Sequence, residues 1–172
     1  MLALVPALLA LPLLADGEVA DCGDVSLKTE SGLALGTVRT LPDHRGFLEL
    51  HPRHGISVSN DGVVHQGPWG SAELSLSGPP GHRISLELAL QQTSKHHTPS
   101  LRLSELIVVN GSRSRRLDAS GETLSLRLPD QERADGSARM RLDIGAVAAF
   151  RHRSDPQEAR YRLTATCLSV RP

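Results

Sequence analysis

After its first few dozen residues the chain alternates apolar and polar positions with period two. Ala72, Leu74 and Leu76 alternate with Glu73, Ser75 and Ser77, and Ile84, Leu86, Leu88 and Leu90 with Ser85, Glu87, Ala89 and Gln91. The same beat returns at Leu124, Leu126 and Leu128, at Met140, Leu142 and Ile144, and at Tyr161, Leu163, Ala165 and Cys167. A strand turns successive side chains to opposite faces, so each set predicts a strand with one dry and one wet face, as antiparallel sheets have. Leucine and alanine are not favoured strand residues, but the alternation outranks propensity.

Turn chemistry separates these runs: Asn60-Asp61-Gly62, Gly78-Pro79-Pro80-Gly81, Asn110-Gly111, Ala119-Ser120-Gly121 and Asp135-Gly136. Asn110-Gly111, after Val108-Val109, predicts a tight hairpin with positive φ at both turn residues. Helical period is absent beyond the N-terminal run, apart from room for one short helical turn at 155–160. Many short strands with regular turns predict an all-β antiparallel β-sandwich in a single domain, residues 16–172.

Residues 1–15 break the alternation. They are apolar throughout, carry no charge and contain Pro6 and Pro12. The run is short for a membrane span and reads as the core of a secretory signal, with cleavage after Ala15 or Ala20. The mature form then has no membrane span, and the protein belongs in the periplasm, on the cell surface or outside the cell. Asp21 before Cys22 does not fit a lipidation motif. The chain has two cysteines, Cys22 and Cys167. In an oxidising compartment they are expected to pair. Within one chain the bridge ties the first segment to the last, and between chains it links neighbours. Cys167 shares the alternation of Leu163 and Ala165 and should face inward.

Composition narrows the functional classes. Lys+Arg and Asp+Glu are both 19. That balance argues against a nucleic-acid partner, which demands a basic excess. Aromatic residues make up 2% of the chain, so the core must come from Leu, Val, Ile and Ala, and sugar or base stacking has little to work with.

Candidate chemistry is sparse. No G-x-S-x-G elbow, H-E-x-x-H helix or phosphate-cradling glycine loop occurs, so no catalytic residue, cofactor or metal centre is assigned. Of eight histidines, His44, His51 and His54 gather around one short segment, and His96-His97 form a pair beside Lys95. They read as solvent-exposed loop histidines, with weak surface binding of Zn²⁺ or Cu²⁺ as the functional alternative. Trp69, in Gly67-Pro68-Trp69-Gly70, reads first as a plug over one end of the sandwich and second as a loop contact with a ligand. Arg113, Arg115 and Arg116 form a basic knob, read as a solvated turn or, as the second reading, a dock for an acidic partner.

The order of segments resembles a bacterial family, domain of unknown function 4402. Leu33-Ala34-Leu35-Gly36-Thr37-Val38 resembles its opening L-x-F-G-x-V strand, and Gly46-Phe47-Leu48-Glu49-Leu50-His51-Pro52 its next strand, of the form G-T-V-x-V-x-P. Residues 72–86 resemble its A-x-F-x-V-x-G-x-P-G-x-x-Y-x-I stretch. Residues 117–124 resemble a later strand, and Met140-Arg141-Leu142-Asp143-Ile144-Gly145-Ala146 matches its L-x-V-G-A pattern. The resemblance spans most of residues 33–170. It implies an exported immunoglobulin-like sandwich of the bacterial envelope, similar to pilin and coat subunits, and it brings no enzymatic residues.

Two functional expectations follow, both non-catalytic. In the first, the protein is a pilus- or coat-type subunit that self-associates or joins other envelope proteins by strand addition. The donor is then the segment 16–30, anchored by Val25 and Leu27. In the second, it is a self-complete monomer that binds a partner through loops at one end, with Trp69, His44, His51 and His54 as contacts.

Overall fold

The computed structural model describes residues 19–40, 45–59, 63–93, 101–151 and 157–172. These fold into thirteen strands: β1 (Val19–Cys22), β2 (Val25–Ser31), β3 (Leu33–Thr40), β4 (Arg45–His51), β5 (Gly55–Val58), β6 (Val63–Gln66), β7 (Ala72–Gly78), β8 (Arg83–Gln92), β9 (Leu101–Asn110), β10 (Arg113–Asp118), β11 (Thr123–Arg127), β12 (Ala138–Arg151) and β13 (Gln157–Arg171). Every pairing among them is antiparallel. The all-β sandwich read from the alternation is the observed fold. The signal segment, His44, the Asn60–Gly62 turn and His96-His97 lie outside the described residues.

One sheet has eight strands and is organised around β12. Along one edge β12 pairs with β9, which pairs with β10. Its other edge is shared end to end, by β7 over Ala138–Ile144 and by β4 over Ala146–Arg151. β2 and β1 continue outward from β7, and β5 from β4. Gly145 occupies the junction. A Cβ there would run into the Leu50 carbonyl and lie 2.9 Å from Pro52 Cδ, so the two strands can meet only where β12 has no side chain.

The second sheet has the order β11-β8-β13-β3-β6. Between the sheets lies the main core, built as the composition demanded from leucine, valine, isoleucine and alanine, with Phe150 and Tyr161 added. Leu35, Leu48, Leu74, Leu86, Leu142 and Leu163 have no exposed surface. Each such leucine stabilises the fold by roughly 1.5–3 kcal/mol relative to an exposed one.

Where the period-two pattern slips by one, a bulge restores the face. On β9, Leu103 and Leu106 are three apart yet both belong to the core, because Ser104 is skipped in the pairing with β12. Its hydroxyl donates to the Val147 carbonyl at 3.2 Å. On β13, Cys167 and Val170 are likewise three apart and both pack inward, because Leu168 bulges out and is half exposed. An extra residue on one strand flips every later side chain, which is how these bulges reconcile sequence with core.

Two local expectations change. Gln157–Arg160 is extended, not a helical turn, since Gln157 and Glu158 pair with Val38 and Thr37 of β3. The tight hairpin exists between β9 and β10, but Asn110 pairs with Arg113, so its loop residues are Gly111 and Ser112, with Gly111 at φ +51. Ladder pairing of Asn110 moves the turn one residue along.

The disulfide forms within the chain. Cys22 at the end of β1 is bonded to Cys167 on β13, with Cα atoms 5.6 Å apart. It joins the edge of the eight-stranded sheet to the middle strand of the other. A disulfide is compatible with an oxidising, exported compartment. Among the described residues no helix is long and apolar enough to cross a membrane.

Candidate functional site

The histidine cluster sits on the outer face of the eight-stranded sheet. His51 ends β4 and pairs with Gly55, and Pro52-Arg53-His54 make the turn between them. The His54 amide donates to the His51 carbonyl at 3.2 Å, and the Arg53 amide donates to His51 Nδ1 at 3.2 Å. The two imidazoles stack with centroids 4.4 Å apart. Burial pushes the His51 pKa down, and the charges of His54, Arg53 and Arg116 push it further, against an upward pull from Glu49. The accepting Nδ1 suits that neutral form.

The turn covers a small second core. Ile107, Val109 and Val147 point away from the main core, yet all three are buried. Pro52 stands over Gly145, the register partner of Ile107, and Arg53 reaches on to donate to the Ser112 carbonyl at 3.3 Å. Arg116 on β10 completes the cover, with nitrogens 2.8 Å from Glu105 on β9 and 2.8 Å from Glu49 on β4. Glu49 and Glu105 flank Val147 in register, so this ion-pair network spans four strands.

Trp69 joins the same region. Its loop is fixed to β3 by reciprocal Ala34–Gly70 backbone hydrogen bonds of 2.9 Å. From there the indole lies against Gly55, where a Cβ would be 3.2 Å from the ring. Trp69 remains 47% exposed, so it is neither a sealed plug nor a free loop side chain. The structure therefore gathers His51, His54 and Trp69, and His44 is outside the described residues. Among the described residues no three His, Cys, Asp or Glu side chains converge as metal ligands.

Val25 and Leu27 stand elsewhere. β2 is paired on both sides, by β1 and β7, and both side chains are buried in the chain's own main core. Donation to a neighbour would have to withdraw them from it.

The basic knob is dispersed. Arg115 pairs with Glu122 at 2.8 Å and Arg116 with Glu49 and Glu105. Arg113 instead lines a groove on the outer face of the second sheet, with Arg83, Arg127 and Arg171. There Arg127, Arg83 and Arg171 are cross-strand partners in one row over β11, β8 and β13, and Ser125, Ser85 and Ser169 form the next row. Sequence reasoning missed this arrangement. Its trace is a repeated local pattern, Arg83-Ile84-Ser85, Ser125-Leu126-Arg127 and Ser169-Val170-Arg171, reversed on β8 as antiparallel pairing requires.

Comparison of the chain with models of known families, with curated proteins and with solved structures finds no match to any of them.

Proposed function

We propose that this protein is an exported, non-catalytic binding domain of the bacterial envelope that is complete in itself. The observation that carries the reading is closure. The Cys22–Cys167 bridge ties the N-terminal hairpin to the centre of the opposite sheet, and Val25 and Leu27 fill the chain's own core. A domain so closed interacts through its surface. The export reading draws support from the apolar segment at 1–15 and from the disulfide, and the envelope reading from the resemblance of residues 33–170 to the domain of unknown function 4402 family. The loop contacts of this reading are His51, His54 and Trp69. The composition and the absence of catalytic motifs in the sequence support a role without chemistry.

The second reading, a pilus- or coat-type subunit assembled by strand addition, draws on the same resemblance. The two readings separate on the state of the exported, oxidised protein. A self-complete domain is monodisperse and folds without a partner, whereas a strand-exchanging subunit forms multimers that withstand detergent until they are heated.

A further inference from the structure

The geometry points to an anion-binding site on the outer face of the five-stranded sheet, built to take a ligand that carries two or more linked phosphate or sulfate groups. It deepens the binding-domain reading by giving it a ligand class.

The first argument is the pairing itself. Arg127 faces Arg83, and Arg83 faces Arg171, as directly opposed cross-strand partners. Like charges in that relation destabilise a sheet. Where arginines of the eight-stranded sheet stand next to acids they pair with them: Arg116 with Glu49 and Glu105, Arg139 with Asp135, and Arg141 with Glu73 and Asp143. In the row, Arg127 alone has a carboxylate, Asp130 at 2.8 Å. Arg83, Arg171 and Arg113 have no ion-pair partner among the described residues. A row of three opposed arginines with a single acid partner among them is explained by an external anion.

The second argument is shape and donor chemistry. Four arginines and Ser85, Ser125 and Ser169 line one groove. Arg113 comes from β10, in the other sheet, and lines the same groove. Guanidiniums bind phosphate and sulfate oxygens through paired N–H donors, and serine hydroxyls add donors of their own. Strands are spaced by about 4.8 Å, so the three opposed arginines extend over roughly 10 Å. That exceeds what one tetrahedral anion can bridge and fits a ligand with several linked anionic groups. The groove carries no carboxylate in its lining that would repel such a ligand.

The test is calorimetric titration of the full, oxidised protein with tripolyphosphate and, separately, with orthophosphate. We expect saturable one-to-one binding of tripolyphosphate, at least tenfold tighter than orthophosphate. Arg83→Gln and Arg171→Gln should each weaken it roughly tenfold, as loss of a charge-assisted hydrogen bond does. Arg141→Gln, on the other sheet, should leave it unchanged. Without ligand at low salt, Arg83→Gln should raise the melting temperature, since it removes repulsion. Absence of saturable binding, equal affinity for the two anions, or an equal loss in Arg141→Gln would overturn the assignment. So would a lowered melting temperature in Arg83→Gln with tripolyphosphate affinity intact, which marks a structural arginine. Each of these failures leaves the monomeric state and the disulfide, on which the binding-domain reading stands, to be judged separately.

Discussion

Cys22 and Cys167 are 145 residues apart in sequence and are bonded across the two sheets. The bond closes residues 22–167 into one loop. In the chain-entropy account a loop of this length stabilises the fold by about 5 kcal/mol, and measured bridges commonly give 2–4 kcal/mol. We expect Cys22→Ser with Cys167→Ser to lower the urea unfolding free energy by about 2–5 kcal/mol, and reduction of the native protein to do the same. Equal midpoints for oxidised and reduced protein would show that the bridge constrains nothing.

Leu27 is buried between β1 and β7 in its own chain. Leu27→Ala should cost about 2–5 kcal/mol of monomer stability, the range for emptied leucine sites. If the segment instead serves a neighbour, the same substitution would leave the monomer's unfolding midpoint unchanged and lower the yield of multimers.

The dry faces of β7, β8, β11 and β13 were legible because period two needs only local sequence. The N-terminal half of β12 was legible for the same reason, but its continuation through Gly145 to Arg151 was not. Ala146, Val147, Ala148 and Ala149 form an apolar run, because β12 buries Ala146 and Ala148 in the main core and Val147 with Ile107 and Val109 in the second one. Period cannot reveal a strand covered on both faces. The bulges at Ser104 and Leu168 were hidden too, since a slip of one residue looks like the end of a strand. His51 and His54 were visible as a cluster. That Pro52 beside them closes over Gly145 of β12 depends on cross-strand register, which the sequence does not state. The arginine row was missed for the same reason: its members lie at 83, 127 and 171, and only register aligns them.

Gly145 holds the branch point of the eight-stranded sheet. Gly145→Ala places a methyl group against the Leu50 carbonyl and the Pro52 ring. The obstacle is backbone and cannot swing away, so we expect a loss of about 1–3 kcal/mol, as for an overpacked core. The His51 ring resonances should shift as the Pro52–His54 turn is displaced. An unchanged unfolding midpoint would contradict the close approach.

His51 gives a pH dependence whose sign is fixed by its environment. Burial and the charges of His54, Arg53 and Arg116 hold its folded pKa below 6.5. As pH falls below 6.5 the unfolded chain takes up a proton that the folded state resists, so stability is lost over the window down to the folded pKa. We expect the melting temperature of the native protein to fall in that window and the slope to be smaller in His51→Gln. Identical slopes would show that His51 does not titrate differently on folding.

The central claim is that the protein is a closed, self-complete domain, and its most direct test is electrophoresis without heating or reductant. The full chain is exported to an oxidising periplasm, purified, and run beside a reduced and boiled sample. We expect one monomer band whose mobility changes on reduction, the mark of an intramolecular Cys22–Cys167 bridge. A ladder that withstands detergent until boiling, or one that collapses on reduction, would contradict the claim and establish strand-exchanged or disulfide-linked assembly.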